Sequence, residues 1–189
     1  MPRDVLIFGS SHVKRINFQI NESNLHFDKN NYTVMSHGIS GLHINTNLPG
    51  KSINSHLRLV SLTKPDIIVI MCGSNDIANK KCDVSRLATD YIAIANYCLQ
   101  AGVRRVVLLQ VWPRSEQKFP GYFDRAVFFS ECVSERLKGV PDILFWRQRG
   151  LWHSTKQTLL PDGTHLNAHG SKLFLRSIRG AIIQATKNI

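Results

Sequence analysis

No stretch of this 189-residue chain approaches the roughly 20 consecutive apolar residues that cross a bilayer. Its longest apolar runs, Ile67–Cys72 and Val106–Leu109, are the size of strands. The four cysteines (Cys72, Cys82, Cys98 and Cys132) include no Cys-x-x-Cys pair, which excludes the usual zinc ribbon and redox motifs. Cys72 and Cys98 fall within apolar patterns, so buried thiols and a reducing compartment are expected. The run Val5–Phe8 after Met-Pro-Arg-Asp is too short for the core of a secretory leader, and the expected location is intracellular, in the cytoplasm. Repeats, low-complexity tracts and linker-like segments are also missing, and residues 1–189 read as one domain.

Acidic residues are scarce. Asp and Glu number 13 against 24 Lys and Arg, a formal charge of +11 with eight histidines counted neutral. Such a balance favours non-specific attraction to nucleic acid or other polyanions. The positive residues are nevertheless scattered, among them Lys80, Lys81, Arg104, Arg105, Arg114, Lys118, Arg147, Arg149, Lys172, Arg176 and Arg179. With no arginine-rich tail, a plain solvated basic surface is the simpler expectation. Hydrophobic residues at 43% are enough for an ordinary globular core.

Strand and helix patterns alternate along the chain. Val5–Phe8, Ile67–Cys72, Val106–Val111 and Ile143–Trp146 read as strands, mostly apolar without alternation, as parallel strands covered on both faces are, and Tyr32–Ser36 reads as a weaker fifth, second in chain order. Between them, Ser85–Ala101 repeats apolar residues at three- and four-residue steps, with Asp83 as N-cap and Gly102 as stop. Ala126–Leu137 is a second helix. Ala168–Thr186 is the last, with Leu173, Phe174, Ile178, Ala181 and Ile182 facing inward. Right-handed crossovers then give a three-layer α/β/α sandwich, whose ligands bind beyond the carboxyl ends of the strands.

Four polar loops follow strands at that end. Gly9-Ser10-Ser11-His12 can present a hydroxyl and a backbone N–H at a strand-to-helix turn, although Ser-Ser after Gly also serves as a simple cap. His37-Gly38-Ile39-Ser40-Gly41 allows close approach of backbone to a ligand, or is a plain glycine turn. Gly73-Ser74-Asn75-Asp76 offers a neutral amide donor suited to a developing oxyanion, or an N-cap pair. In Asp162-Gly163-Thr164-His165 a carboxylate three residues before an imidazole can fix its tautomer and stabilise the imidazolium formed when it accepts a proton.

The order and spacing of these blocks, from residue 5 to about residue 180, resemble the SGNH hydrolases, also known as GDSL-type esterases and lipases. The resemblance implies a flavodoxin-like five-stranded parallel sheet, no cofactor and no metal. It implies Ser11 as nucleophile and Asp162 and His165 as its supporting pair. It further implies an oxyanion hole from the Ser11 and Gly41 N–H groups and the Asn75 amide. The implied activity is hydrolysis of a small carboxylic ester, acyl or acetyl, through an acyl-enzyme. The alternative is a catalytically weak or inactive SGNH-like binding module for nucleic acid or another polyanion, as in retrotransposon-encoded proteins. The family's Asp before the nucleophile is Ser10 here.

Three features compete with or surround this set. His165 and His169 have the four-residue spacing of helical metal ligands, but no Glu follows His165 to act as base. The aromatic loop Trp112–Phe123 either lines a substrate pocket or packs its own rings. His12 is expected to face solvent at the start of a helix.

Overall fold

A computed structural model of the chain describes residues 2–45, 47–152 and 155–187. Five strands, β1 (Arg3–Gly9), β2 (Tyr32–Gly38), β3 (Ile67–Met71), β4 (Arg105–Leu109) and β5 (Ile143–Trp146), form one sheet in the order β2-β1-β3-β4-β5. Every pairing is parallel, with Val5 opposite both Val34 and Ile67. The helices are α1 (Ser11–Ser23), α2 (Arg58–Thr63), α3 (Ser74–Ala78), α4 (Val84–Gln100), α5 (Tyr122–Arg136), α6 (Thr155–Thr158) and α7 (Ala168–Thr186).

Continuous apolar strands put hydrophobic side chains on both faces of the sheet, and both faces must be covered. Leu6, Phe8, Ile68, Ile70, Val106 and Leu108 pack with Tyr91 and Ala95 of α4 and Phe129 and Val133 of α5. Val5, Ile7, Ile67, Val69, Val107 and Leu109 pack with Val13 and Ile16 of α1 and Phe174 and Ile178 of α7. The three-layer sandwich is as expected. Asp83 caps α4 by accepting from the Arg86 N–H at 3.0 Å, and Gly102 ends it at φ +98°. Cys72 and Cys98 are fully buried thiols. Helix α5 begins four residues before its expected start, because the Pro120-Gly121 turn, with Gly121 at φ +73°, delivers the chain into helix at Tyr122.

The strand order reverses direction between β1 and β3, so the loops leaving these two strands diverge and open a crevice at their carboxyl ends. The helices that follow β1 and β3 carry Ser11 and Asn75 in their first turns. The first turn of α1 crosses the end of β2 so closely that a Cβ at Gly38 would lie 2.1 Å from the Lys14 nitrogen. This backbone-on-backbone contact fixes where α1, and with it Ser11, begins.

Candidate active site

Ser11 is the first residue of α1, directly after β1. Its Oγ lies 3.1 Å from His165 Nε2, across 154 residues of chain. The His165 Nδ1 donates to Asp162 Oδ2 at 2.7 Å. Asp162 Oδ1 also accepts from the backbone N–H groups of Thr164 and His165, both at 2.9 Å. Slight burial of the Asp162 carboxyl opposes ionisation, but these hydrogen bonds outweigh it and hold its pKa well below the usual carboxylate range. An ionised acceptor at Nδ1 keeps the ring proton there, which leaves Nε2 as acceptor toward the serine hydroxyl.

The turn that carries the pair is closed by Gly163 N–H to Leu160 O at 2.9 Å and Leu160 N–H to His165 O at 2.7 Å. It is latched to the loop after β4 by Ser115 N–H to Gly163 O at 2.8 Å and by Lys118 Nζ to Pro161 O at 2.6 Å. Gly163 sits at φ +70°, where a Cβ would also meet Ser115 Cβ at 2.6 Å, so only glycine fits the latch. His165 precedes α7 and His169 lies within it, exposed, so the two do not share a helical face. Both ring nitrogens of His165 are already engaged by Ser11 and Asp162.

Asn75 is the second residue of α3. Its Nδ2 donates to Leu42 O at 2.9 Å, next to Gly41, and its Oδ1 accepts from Arg114 Nη2 at 2.8 Å. Asp76 is not a helix cap. Its buried carboxylate accepts from the N–H groups of Ile44 at 3.0 Å and Asn45 at 3.1 Å, binding the loop after Gly41 to α3. Among the described residues, the N–H groups of Ser11 and Gly41 have no acceptor in the protein. The first belongs to the opening turn of a helix, where partial positive charge collects.

The backbone matches those of solved esterases and lipases over nearly its full length. An acetylxylan esterase from Geobacillus stearothermophilus aligns with a TM-score of 0.73 and 14% identity, covering 95% of this chain and 94% of that one. A GDSL-like lipase from Bacteroides thetaiotaomicron aligns at 0.70 and 16%, over 97% and 89%. A carbohydrate esterase of family 3 from Talaromyces cellulolyticus aligns at 0.69 and 19%, over the whole of both chains. The chain has the SGNH-hydrolase fold. No family model matches the sequence, and no curated protein matches it.

On either side of Ser11 lie two buried polar residues, Ser10 and His12. Ser10 is buried, and among the described residues its hydroxyl has no partner. Its backbone caps α1, but its side chain does not. His12 does not face solvent as the sequence suggested. It is 4% exposed, its ring lies edge-on to Trp112 at 4.3 Å between centroids, and it sits 5.4 Å from the His165 ring. Trp112 in turn packs edge-on to Phe174 of α7 at 4.9 Å. Trp112 and Tyr122 are both 2% exposed, so these two rings of the aromatic loop are part of the core. Arg114 and Arg105, read from sequence as surface charges, are 6% and 9% exposed.

Burial, then the charges of Arg114, His165 and Arg15, push the His12 imidazole well below its usual range against an opposing pull from Asp162. Between that lowered folded value and the unfolded value of 6.5, the unfolded chain binds the proton and the native chain does not. Stability is therefore complete above about pH 6.5 and declines as the pH falls toward the folded value. In calorimetric melts from about pH 7.5 to about pH 5, His12→Asn is expected to lose less Tm than the wild type. Parallel Tm curves would remove this histidine from the acid response.

Proposed function

We propose that the chain is a serine ester hydrolase that cleaves a small carboxylic ester, acyl or acetyl, through an acyl-enzyme on Ser11. The observation that carries this reading is the unbroken hydrogen-bond series Ser11 Oγ, His165 Nε2, His165 Nδ1, Asp162 Oδ2, together with Ser11 and Gly41 N–H groups that have no acceptor among the described residues. In this reading His165 Nε2 takes the hydroxyl proton as Ser11 Oγ attacks the ester carbonyl. The C=O electron pair moves to oxygen, and the oxyanion is met by the N–H groups of Ser11 and Gly41 and by the Asn75 amide. Collapse of the tetrahedral species expels the alkoxide, which receives the proton from His165. Water then repeats the sequence on the acyl-serine, and a carboxylic acid departs with Ser11 restored.

Asp162 remains a carboxylate throughout, orienting the ring and stabilising the imidazolium. The similar folds of an acetylxylan esterase and a GDSL-like lipase support an ester as the substrate class. Treatment with a fluorophosphonate probe followed by peptide mapping is expected to place the adduct on Ser11, because only an activated serine attacks phosphorus at an appreciable rate. Labelling elsewhere, or none in native protein, would overturn the assignment.

A further inference from the structure

Asn75 can act as an oxyanion donor only if its nitrogen, not its oxygen, is turned toward the crevice. The two ends of a carboxamide have nearly the same shape, so the neighbours decide which way it points. Both neighbours of Asn75 give the same answer. Arg114 has only donors and stands 2.8 Å from Oδ1, and the Leu42 carbonyl can only accept and stands 2.9 Å from Nδ2. One of the two Nδ2 hydrogens is used by Leu42, and the other is free for a ligand.

The Arg114 guanidinium is unusual in its setting. It is 6% exposed, and its acceptors are neutral: Ser74 Oγ at 3.2 Å from Nε and 2.8 Å from Nη2, and Asn75 Oδ1. The rings of Phe119 and Tyr122 flank it at 5.0 and 5.3 Å. The Tyr122 hydroxyl donates to the same Ser74 Oγ at 3.1 Å, fixing the serine that seats the guanidinium. No ion pair between Arg114 and a carboxylate occurs among the described residues. A buried cation with no carboxylate in contact, only the more distant pull of Asp162, is unfavourable in the resting protein. It becomes favourable when negative charge develops on the far side of the amide it holds, and that is the condition for stabilising a transition state over a ground state. A cation on the amide oxygen also draws electron density from nitrogen, which makes each N–H a stronger donor.

We propose that Arg114 is a positioning residue for the oxyanion hole. It sets the Asn75 amide nitrogen-outward and strengthens it electrostatically, and it acts through Asn75 rather than by touching substrate. The inference rests on the ester-hydrolase reading above. The test is a mutant cycle in the full chain, with kcat and KM for a short-chain p-nitrophenyl ester read separately. Asn75→Ala is expected to lower kcat about 100- to 1000-fold. Arg114→Met is expected to lower kcat roughly 10- to 100-fold with KM nearly unchanged, since the interaction belongs to the transition state. Added to Asn75→Ala, Arg114→Met is expected to cost no more than about threefold further, because its route to the oxyanion is already gone.

Multiplying losses in the double variant, a change in KM alone, or full activity in Arg114→Met would each overturn the proposal. If Arg114→Met does not fold, Arg114→Lys alone and combined with Asn75→Ala carries the same comparison, because the charge is kept while the forked contact to Ser74 and Asn75 is lost. Ser11→Ala run in parallel separates the two levels. An active Ser11→Ala sinks the ester-hydrolase reading itself. An inactive Ser11→Ala beside a fully active Arg114→Met sinks only the role of Arg114.

Discussion

Ser11→Ala is expected to lower turnover of a short-chain p-nitrophenyl ester by between about 10⁴- and 10⁶-fold. The size follows from what the substitution removes. No other hydroxyl takes the place of Ser11 Oγ at 3.1 Å from His165 Nε2, so nucleophile and proton acceptor are lost as a pair. What remains is binding and the backbone donors, which on their own still exceed water by about 10³- to 10⁴-fold. The fold should scarcely notice: Ser11 is only partly buried, and its hydroxyl is engaged with His165 Nε2. The expected signature is therefore a collapse of kcat with a Tm within a few degrees of wild type. A loss smaller than about tenfold would mean that the chemistry, if any, lies elsewhere.

The second large effect is expected at Asp162. Asp162→Asn keeps the size of the side chain, and its carbonyl oxygen can still receive the Thr164 and His165 N–H groups now held at 2.9 Å. Toward His165 Nδ1, however, the new NH₂ group donates. The ring must then accept at Nδ1 and carry its proton on Nε2, facing the serine hydroxyl it should deprotonate. The expected loss in kcat is about 10⁴-fold, from the wrong tautomer rather than from displaced atoms. Because the native Asp162 carboxyl ionises well below the usual range, the acid limb of the wild-type pH–rate profile should not report its titration. A kcat for Asp162→Asn within tenfold of wild type over about pH 6 to 9 would separate Asp162 from the reaction.

The parts of this molecule legible in its sequence are those whose signal is local. Uninterrupted apolar runs mark β1, β3, β4 and β5, because a buried strand needs nothing from distant residues to be recognised, while Tyr32–Ser36, with Thr33 and Ser36 in a strand at the sheet edge, is the weaker signal. The α4 pattern from Leu87 to Cys98 and its Asp83 cap are local in the same sense. So is the Asp162–His165 pair, which needs only one turn to close. The short helices α2, α3 and α6 were not anticipated, since four to six residues hold too little periodicity to read.

What escaped the sequence was decided by partners far along the chain. His12 looks like a polar residue at a helix start. Only the arrival of Trp112, itself backed by Phe174, makes its position internal. Arg114 looks like one more positive charge in a basic chain, and its burial depends on Ser74 and Asn75, 40 and 39 residues away. Asp76 reads as half of a cap, yet its carboxylate serves two N–H groups more than 30 residues upstream. In each case a polar side chain was assigned to water by default, when the fold had placed hydrogen-bond or ring partners around it.

The latch between the His165 turn and the loop after β4 bears on how the site can fail. Ser115, which donates to Gly163, immediately follows Arg114, which holds Asn75. The proton acceptor and the amide donor thus hang from adjacent links of one chain, although they belong to loops following different strands. Any excursion that lifts residues 114–118 loosens both at once, while Ser11, on the rigid first turn of α1, stays in place. On the ester-hydrolase reading, a molecule opened there would keep Ser11 in place while the His165 turn, left with its own hydrogen bonds, and the Asn75 amide both lost outside support.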